Sequence, residues 1–492
     1  AKSGLFNYIS KGLMAIVDAA TFFMLTKMLT VEDYGLYSLS LAVFSFFIVF
    51  VPMGLPGSLL RFIPEYIERK RKDLALIAIR WSFCITILAG ILLFLACFIF
   101  DDKIGHILKN DRIISIFGIL VLIGILNVFI RLAESVLDAL FLQVYRNICQ
   151  ILAGLTQFIL FTIIFYKGLG IKILFIAIAI SVFMQSVLYI SKIFLYFSSV
   201  KIDNKRDNGE TKRFFIFGTK EYFFRILGFF WEIAFDIYII SYLLGPVSVG
   251  IFGFAASISY FIYNWSPGIV LNSVLSPLFV RQHTAKNPSL SVGYLFKFYN
   301  KFKAFFIFPV LAGVWILADK FIFIVYDNLY ISSVFPLKIL LLFMTFQAFA
   351  RPIKNVFDAL EKNELALYGN FLIPYRILAS FFLIKRFGIN GAVFAYGSSI
   401  FLFFLLELFF LKRVIKVEYP LRSFLKIFVN TFIMGIVLLG LRYYIGSNLY
   451  LFISTVITGI AAYLFLSYIN KPFEEKERDI INNGIGMNIW RF

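Results

Sequence analysis

The sequence predicts an all-α polytopic membrane protein with fourteen transmembrane helices, arranged as two six-helix lobes and a C-terminal helix pair. Of the 492 residues, 61% are hydrophobic and 15% are charged, which is more apolar surface than a water-soluble core of this length could bury. Apolar runs of about 20 residues recur along nearly the whole chain, and each can cross the hydrocarbon core of a bilayer as a helix. An internal repeat divides these helices into the two lobes.

The repeat has an offset of about 220 residues. Residues 131–140 read R-x4-V-x-D-A-L, and residues 351–360 read the same pattern. Two further pairs of segments lie at nearly this offset, one containing Gly35 and Gly250 and the other beginning at Gly170 and Gly388. An even number of helices in each copy gives both copies the same orientation. The sequence therefore predicts a parallel repeat, with a pseudo-twofold axis along the membrane normal.

Hydropathy predicts the individual helices and the domain boundaries. We expect membrane helices at about 8–29, 36–60, 76–100, 113–141, 146–166, 172–197, 214–244, 248–273, 294–318, 334–359, 364–385, 389–412, 423–444 and 448–469. The expected domains are an N-lobe at 1–200, a cytoplasmic linker at 201–213, a C-lobe at 214–413, helices 13 and 14 within 414–470, and a cytoplasmic tail at 471–492.

The positions of Lys and Arg predict the orientation. With the N-terminus inside, the basic clusters at 69–72, 201–213, 281–303 and 412–426 all lie on the cytoplasmic side, where positive residues concentrate. Both termini are therefore expected in the cytoplasm, and the protein is expected in the plasma (inner) membrane. The net charge of +19 is spread over these short clusters, which favours contact with phospholipid headgroups and predicts no binding of nucleic acid.

Cysteines and histidines do not predict a metal or redox site. Cys84, Cys97 and Cys149 lie in apolar segments at unrelated spacings, and we expect small buried side chains there. His106 and His283 lie in loops without cysteine or carboxylate partners at ligand spacing. We expect no metal ion and no cofactor.

Prolines predict kinks or breaks in several helices. These are the stretch from Pro52 to Gly57 in helix 2, Pro267 in helix 8, Pro309 in helix 9, Pro352 in helix 10 and Pro374 in helix 11. Each proline removes a backbone donor, and within a membrane the freed carbonyl must be satisfied by a neighbouring group or by cavity water. Simple bending of the helix is the alternative interpretation.

Arginines within the apolar helices are the candidate substrate-binding residues, because charges there are costly and usually line an interior path. They are Arg131 and Arg351, at equivalent positions of the repeat, and Arg225 and Arg376, nearest the middle of the membrane. Glu134 and Glu221 are spaced to pair with Arg131 and Arg225 within one helix. Arg351 and Arg376 have no such neighbour and need a partner from another helix or an anionic ligand.

Three further charged residues, Arg61, Glu65 and Lys354, lie closer to the predicted cytoplasmic surface. Their side chains can extend to that surface, and Arg61 is a fifth candidate for binding substrate phosphate. Asp18 in helix 1 and Glu232 and Asp236 in helix 7 are the candidates for ion coupling. A desolvated carboxylate can exchange a proton or hold a cation, so proton and sodium coupling both stay open, as does a counter-ion role.

The opening of the chain resembles a known family. Residues 25–42 read LTKMLTVEDYGLYSLSLA and residues 53–66 read MGLPGSLLRFIPEY. Both segments resemble the polysaccharide-unit (Wzx-type) flippases of the multidrug/oligosaccharidyl-lipid/polysaccharide exporter superfamily. Lys27 stands where that family more often has arginine, and Pro56 is an unusual insertion.

The resemblance covers the whole length and implies a V-shaped pair of lobes around a cavity that opens alternately to each side. It implies a flippase that moves a polyprenyl-(pyro)phosphate-linked oligosaccharide from the cytoplasmic to the outer leaflet for cell-surface polysaccharide assembly. An ion-coupled multidrug or cation exporter of the same superfamily is the alternative.

A membrane glycosyltransferase would need a large outer loop with catalytic carboxylates, so we do not expect an enzyme. The expected partners are the lipid-linked substrate and membrane lipids, and the chain is expected to act as a monomer.

Overall fold

The computed structural model describes residues 2–99, 111–200, 208–264, 292–362, 364–415, 419–485 and 490–492. Within these ranges the regular secondary structure is helical throughout, as predicted. Several predicted features lie outside the described residues: the linker at 201–207, the loops containing His106 and His283, the break at Pro267, the end of predicted helix 8, and the side chain of Cys97.

Contacts divide the chain into two units, Ala1–Gly250 and Ile251–Phe492. The first unit contains α1 (Lys2–Met28), α2 (Val31–Phe50), α3 (Leu55–Glu68), α4 (Lys72–Ile99), α5 (Asp111–Ile114), α6 (Phe117–Ala139), α7 (Gln143–Lys167), α8 (Ile171–Phe197), α9 (Asn208–Phe229), α10 (Ile233–Leu244) and the start of α11 (Pro246–Asn264). The predicted lobe boundaries depend on the repeat in the sequence. A division by contacts does not test that repeat, so the lobe boundaries stay a prediction.

The second unit contains the rest of α11, followed by α12 (Val292–Tyr326), α13 (Val334–Ala359), α14 (Glu364–Leu367), α15 (Ile373–Val414), α16 (Leu421–Arg442), α17 (Leu449–Asn470) and α18 (Glu475–Ile485). Two short 3-10 helices, Ile331–Ser333 and Tyr368–Leu372, precede α13 and α15.

Among the described residues, 11 helices are long and apolar enough to cross a membrane, or 12 if the bent pair α9–α10 forms one span. Every predicted span overlaps a helix of the structure, but the count of fourteen is not confirmed. Counting the bent pair as one span leaves two fewer spans than predicted. One is missing because α1 is not among the candidate spans, and the other because α15 covers both predicted helices 11 and 12. Gly388 interrupts α15 with a φ of 59° and a ψ of −138°, which glycine adopts readily, and it lies between these two predicted helices.

The predicted break in helix 2 is present between α2 and α3. Gly54 has a φ of 74°, and a Cβ atom on it would lie 2.1 Å from the carbonyl oxygen of Gly218 in α9. Glycine is therefore needed both for the backbone conformation and for the close approach of α9. Pro56 lies in the first turn of α3, where proline is well tolerated because the missing N–H has no helical acceptor.

The prediction of one continuous helix at 214–244 is wrong. The chain bends by 51° between α9 and α10, and the backbone N–H of Trp231 bonds to the carbonyl of Gly228 in a turn. Glu232 then adopts an extended conformation at the N-cap of α10, and its carboxylate accepts a hydrogen bond from the hydroxyl of Ser45 in α2. A carboxylate at a helix N-terminus is stabilised by the helix dipole, so these contacts favour a new helix start over a continuous span.

Prolines within the later helices leave them continuous. Pro309 lies inside α12 and Pro352 inside α13, whereas Pro374 lies in the first turn of α15. Because proline lacks an N–H, Pro352 leaves the carbonyl of Ala348 without its usual donor four residues on. The ammonium of Lys303 in α12 donates a hydrogen bond to that carbonyl, so a neighbouring helix satisfies it, as expected.

The residues after α17 fold back onto the second unit. Phe473 and Trp490 pack with Phe305 of α12 at ring-centroid distances of 5.4 and 5.3 Å. The Nζ atom of Lys301 lies 2.6 Å from the Oε2 atom of Glu477 in α18, and both side chains are fully buried. The predicted cytoplasmic tail therefore contributes to the core of the second unit.

The first turns of α2 and α11 cross at the two glycines that the repeat aligns. A Cβ atom on Gly35 would lie 2.0 Å from the carbonyl oxygen of Pro246, and one on Gly250 would lie 2.0 Å from that of Val31. The contact is reciprocal, because Val31 and Pro246 precede their glycines by the same four residues. This crossing supports the repeat inferred from the sequence.

We expect Gly35→Ala to destabilise the protein, since the added methyl group forces the two helices apart. Overpacking of this kind typically costs about 1–3 kcal/mol, which a thermal melt of the purified protein would detect. Gly313→Ala in α12 is the matched control, because its Cβ would meet nothing within 4 Å, and alanine there favours the helix. Equal melting temperatures for the two variants would contradict the close crossing.

Candidate functional site

The candidate arginines of the first unit lie close to carboxylates. Arg131 pairs with Glu134 on α6, with 3.5 Å between Nη1 and Oε2, which confirms that predicted pair. Arg225 on α9 is close enough for its charge to act on that of Arg131. Glu221 attracts Arg225 but forms no ion pair with it, and the Nε atom of Arg225 has no hydrogen-bond partner among the described residues. The second predicted pair within one helix is therefore not formed.

A third arginine of this cluster was not predicted. Arg146 at the start of α7 donates hydrogen bonds to the carboxylate of Asp138 on α6 and to the Oδ1 atom of Asn147. Asp138 is the aspartate of the repeated motif and also feels the charge of Arg131. In the first unit, three arginines thus face three carboxylates, namely Glu134, Asp138 and Glu221. The cluster is close to neutral.

The second unit has a different charge balance. The guanidinium of Arg351 on α13 lies over the ring of Tyr263, 5.4 Å from its centroid. Lys303 on α12 has no exposed surface, and its ammonium lies 4.3 Å from the ring centroid of Tyr299. Arg351 acts electrostatically on Lys303. Among the described residues, no carboxylate forms an ion pair with either side chain, so the positive charge of Arg351 is unbalanced and Lys303 adds a second one when it is protonated.

Sequence reasoning did not identify Lys303 as a site residue. It belongs to the basic cluster at 281–303, which predicted only a cytoplasmic connection. A local signal existed in Pro352, which frees a carbonyl, but nothing in the sequence indicates that a lysine of α12 satisfies it. The contact joins residues 45 positions apart.

The two copies of the repeated motif differ in charge one turn after the arginine. Glu134 in the first copy corresponds to Lys354 in the second. Lys354 is exposed, and its charge acts on Asp358 and on Glu407 of α15. Glu407 is buried and was not predicted. The exchange leaves Arg351 without the neighbour that partly neutralises Arg131.

Arg376 and Arg61 occupy contrasting environments. Arg376 on α15 has no exposed surface and lies 5.0 Å from the ring centroid of Tyr396, so a ligand reaches it only after a rearrangement. Arg61 on α3 is exposed and lies 4.9 Å from the ring centroid of Phe217 on α9. Phosphate binding by either arginine stays a prediction.

An ion-pair network next to Arg61 joins α3 to α9. Arg213 contacts both carboxylate oxygens of Glu65, at 2.7 and 3.2 Å, and Arg69 lies 2.6 Å from the same carboxylate. Hydrogen bonding to Arg213 holds the pKa of Glu65 below its ordinary value. Because the folded-state pKa is lowered, the pair stabilises the fold above the ordinary carboxyl pKa, and this stabilisation is lost as the pH falls through the lowered value.

The candidate ion-coupling residues lie on α1 and around the start of α10. Asp18 is exposed and acts electrostatically on Tyr37 of α2, and it forms no ion pair among the described residues. Glu232 binds Ser45, and Asp236 is fully buried. No group of three His, Cys, Asp or Glu side chains that could hold a metal ion occurs in the described ranges.

We expect Asp18→Asn and Asp236→Asn to change the dependence of transport on pH or sodium more than they change folding. Asparagine has nearly the same shape as aspartate but cannot ionise. Transport by reconstituted protein, measured across imposed proton and sodium gradients, would show the effect. Unchanged gradient dependence in both variants would make these carboxylates structural counter-ions.

Comparison with known protein families identifies the family of this chain. The model of a family described as "Polysaccharide biosynthesis protein" matches residues 24–335. The chain belongs to this polysaccharide biosynthesis protein family. No curated protein sequence matches the chain.

Solved structures similar to this family member are a flippase and transporters of the MOP superfamily. One is the lipid II flippase MurJ in an inward closed conformation, with a TM-score of 0.74 and 17% identity over 97% of this chain and 99% of that one. Another is an inward-facing multidrug resistance MATE transporter, with a TM-score of 0.65 and 14% identity over 81% of this chain and 95% of that one. The outward-facing conformation of a MATE transporter matches with a TM-score of 0.52 and 14% identity, over 83% and 94%. The protein has the fold that these membrane proteins share.

Proposed function

We propose that this polysaccharide biosynthesis protein is a flippase. In this proposal it moves a polyprenyl-(pyro)phosphate-linked oligosaccharide from the cytoplasmic to the outer leaflet by alternating access. Family membership and a fold shared with a lipid II flippase support a transport role in polysaccharide assembly. The energy source in this proposal is a proton or sodium gradient acting through Asp18, Glu232 and Asp236.

The positive charge of Arg351, which has no ion-pair partner among the described residues and lies near the basic side chain of Lys303, is the observation that carries the proposal. A lipid-linked pyrophosphate brings negative charge into the membrane, and cations along its path compensate the cost of removing that charge from water. A guanidinium binds phosphate oxygens through a two-pronged contact that fits this ligand. A site for cationic drugs would instead present carboxylates in excess.

An apolar groove of the second unit supports a lipid-linked substrate. It has a volume of about 540 Å³ and lies between α12 and α16, the first helix beyond the repeat. Its lining includes Trp315, Ile316, Phe428, Phe432 and Leu439. We propose that it accommodates part of the polyprenyl chain, whose transfer from water to apolar surface is favourable.

A multidrug or cation exporter is the second candidate function. The similarity to MATE transporters and the buried carboxylates Asp236 and Glu407 favour it. The two functions differ in the sign of the ligand charge, which binding measurements can separate.

A transport assay in proteoliposomes tests the proposed function. Purified protein is reconstituted with a fluorescent polyprenyl-pyrophosphate-linked sugar, and a membrane-impermeant quencher reports the fraction in each leaflet. We expect protein-dependent exchange between leaflets, and cationic dyes should bind weakly. Tight binding of cationic dyes without exchange of the lipid-linked sugar would replace the flippase assignment with the exporter.

We propose the plasma membrane as the location, with both termini in the cytoplasm. In a variant without its native cysteines, Val247→Cys should react with a membrane-impermeant maleimide added to intact cells, since Val247 is exposed and lies in a predicted outer connection. Lys212→Cys should react only after the cells are permeabilised. Labelling of position 212 in intact cells would reverse the orientation.

A further inference from the structure

An apolar pocket lies beside the two cations of the second unit. It has a volume of about 140 Å³. Its lining includes Tyr263, Phe306, Val310, Leu341, Met344 and Ala348. Arg351 stacks over the ring of Tyr263, and Lys303 donates its hydrogen bond to the carbonyl of Ala348. The pocket and the cation pair therefore share two of their residues.

Lys303 retains unused capacity to bind an anion. Its ammonium has three N–H donors, and the structure gives it one hydrogen-bond acceptor among the described residues, the carbonyl of Ala348. The ring of Tyr299 adds a cation–π contact but no acceptor oxygen. A buried ammonium without a counter-ion is costly and tends to lose its proton, and the charge of Arg351 acts on it in the same direction. An anion at this position would stabilise the charged forms of both side chains.

The size and lining of the pocket suit a short hydrocarbon group. An engineered cavity of about 150 Å³ lined by aliphatic and aromatic side chains binds benzene. The pocket here, at about 140 Å³, is close in size, and a five-carbon isoprene unit is comparable to benzene. The site thus combines cations with room for a single small apolar group.

We propose that Lys303 and Arg351 together bind the phosphate of a prenyl phosphate whose first isoprene unit enters this pocket. The inference rests on the proposed function and adds a second cation and a specificity-determining pocket to it. Recognition of the junction between phosphate and hydrocarbon would let one site select a prenyl carrier whatever sugar it bears. Lys303 has no exposed surface, so the phosphate reaches it only after a rearrangement, during which Lys303 can remain bound to the carbonyl that Pro352 frees.

Binding of two probes to the purified full-length protein tests this inference. Titration calorimetry would compare geranyl diphosphate with inorganic pyrophosphate. We expect the protein to bind geranyl diphosphate more tightly, and Lys303→Met to weaken binding of both probes by roughly tenfold or more, as expected for loss of a charged hydrogen bond. Val310→Trp should fill the pocket from its edge, where Val310 is 42% exposed, and should weaken only the binding of geranyl diphosphate. Arg386→Ala, which removes an exposed arginine of the same unit, should change neither.

The possible outcomes distinguish failure of this binding site from failure of the proposed function. If geranyl diphosphate binds and both Lys303→Met and Val310→Trp leave its affinity unchanged, the site lies elsewhere while the flippase proposal stands. If Lys303→Met fails to fold, Val310→Trp alone decides, because a loss restricted to the prenylated probe supports the pocket and an equal affinity overturns it. Equal competition by lysophosphatidic acid would identify a phospholipid site and overturn the prenyl assignment. If no prenyl diphosphate binds while cationic dyes do, the proposed function itself fails.

Discussion

Arg351→Ala should reduce translocation of a lipid-linked pyrophosphate by roughly tenfold to a hundredfold, since a charged hydrogen bond contributes on the order of 1.5–3 kcal/mol. Its guanidinium contacts the ring of Tyr263 and forms no ion pair among the described residues, so its removal strands no carboxylate. The protein should therefore still fold. Flipping in proteoliposomes, together with a thermal melt, would measure both properties.

Arg351→Lys should restore only part of the activity, because lysine keeps the charge but lacks the planar fork that binds two phosphate oxygens. Arg386→Ala is the control, as it removes one positive charge from an exposed position of the same unit. Full activity of Arg351→Ala in the same assay would remove this arginine from the substrate path.

Glu477→Ala should lower the free energy of unfolding by about 3–5 kcal/mol, because it leaves the buried ammonium of Lys301 without a counter-ion. Both partners are fully buried, 2.6 Å apart, and Glu477 also accepts a hydrogen bond from the backbone N–H of Glu474. A lower melting temperature and faster proteolysis of the C-terminal residues would report the effect.

Glu475→Ala is the matched control, since this exposed glutamate lies on the same helix and its loss should be nearly neutral. The double variant Lys301→Met with Glu477→Leu should recover much of the lost stability, because replacing a buried ion pair by apolar groups is often neutral or better. A double variant as unstable as Glu477→Ala would show that the pair has a role beyond charge compensation.

Hydropathy was sufficient to locate most of the long helices because a bilayer constrains the chain so strongly. Backbone polar groups within lipid must be satisfied inside the helix, so apolar runs of the required length marked these helices, although the run at 214–244 contains two. The break after α2 was also predictable, since Pro52, Gly54 and Pro56 act through the local backbone. The repeat aligned Gly35 with Gly250, but the sequence did not indicate that the two would touch.

The parts that were missed depend on contacts between distant segments. The bend before α10 involves a hydrogen bond between Glu232 and Ser45, which lie 187 residues apart. Lys303 is positioned by the carbonyl of Ala348 on another helix, 45 residues away. α18 was predicted only as a polar tail, since its stabilising pair depends on a lysine 176 residues earlier. Local sequence patterns do not indicate which distant residues come into contact.

The crossing of Gly35 and Gly250 has an implication for how this chain arose. A segment that meets its own copy through equivalent atoms, with Gly35 against Pro246 and Gly250 against Val31, has the symmetry of an isologous interface between identical subunits. The contact is what remains if a shorter protein first assembled as a homodimer and its gene was later duplicated and fused. In such a dimer one glycine codon would have determined both halves of the contact, so a single mutation would have altered it twice. After such a fusion each half could change alone, and the opposite charges of Glu134 and Lys354 beside equivalent arginines are the kind of difference that this independence permits.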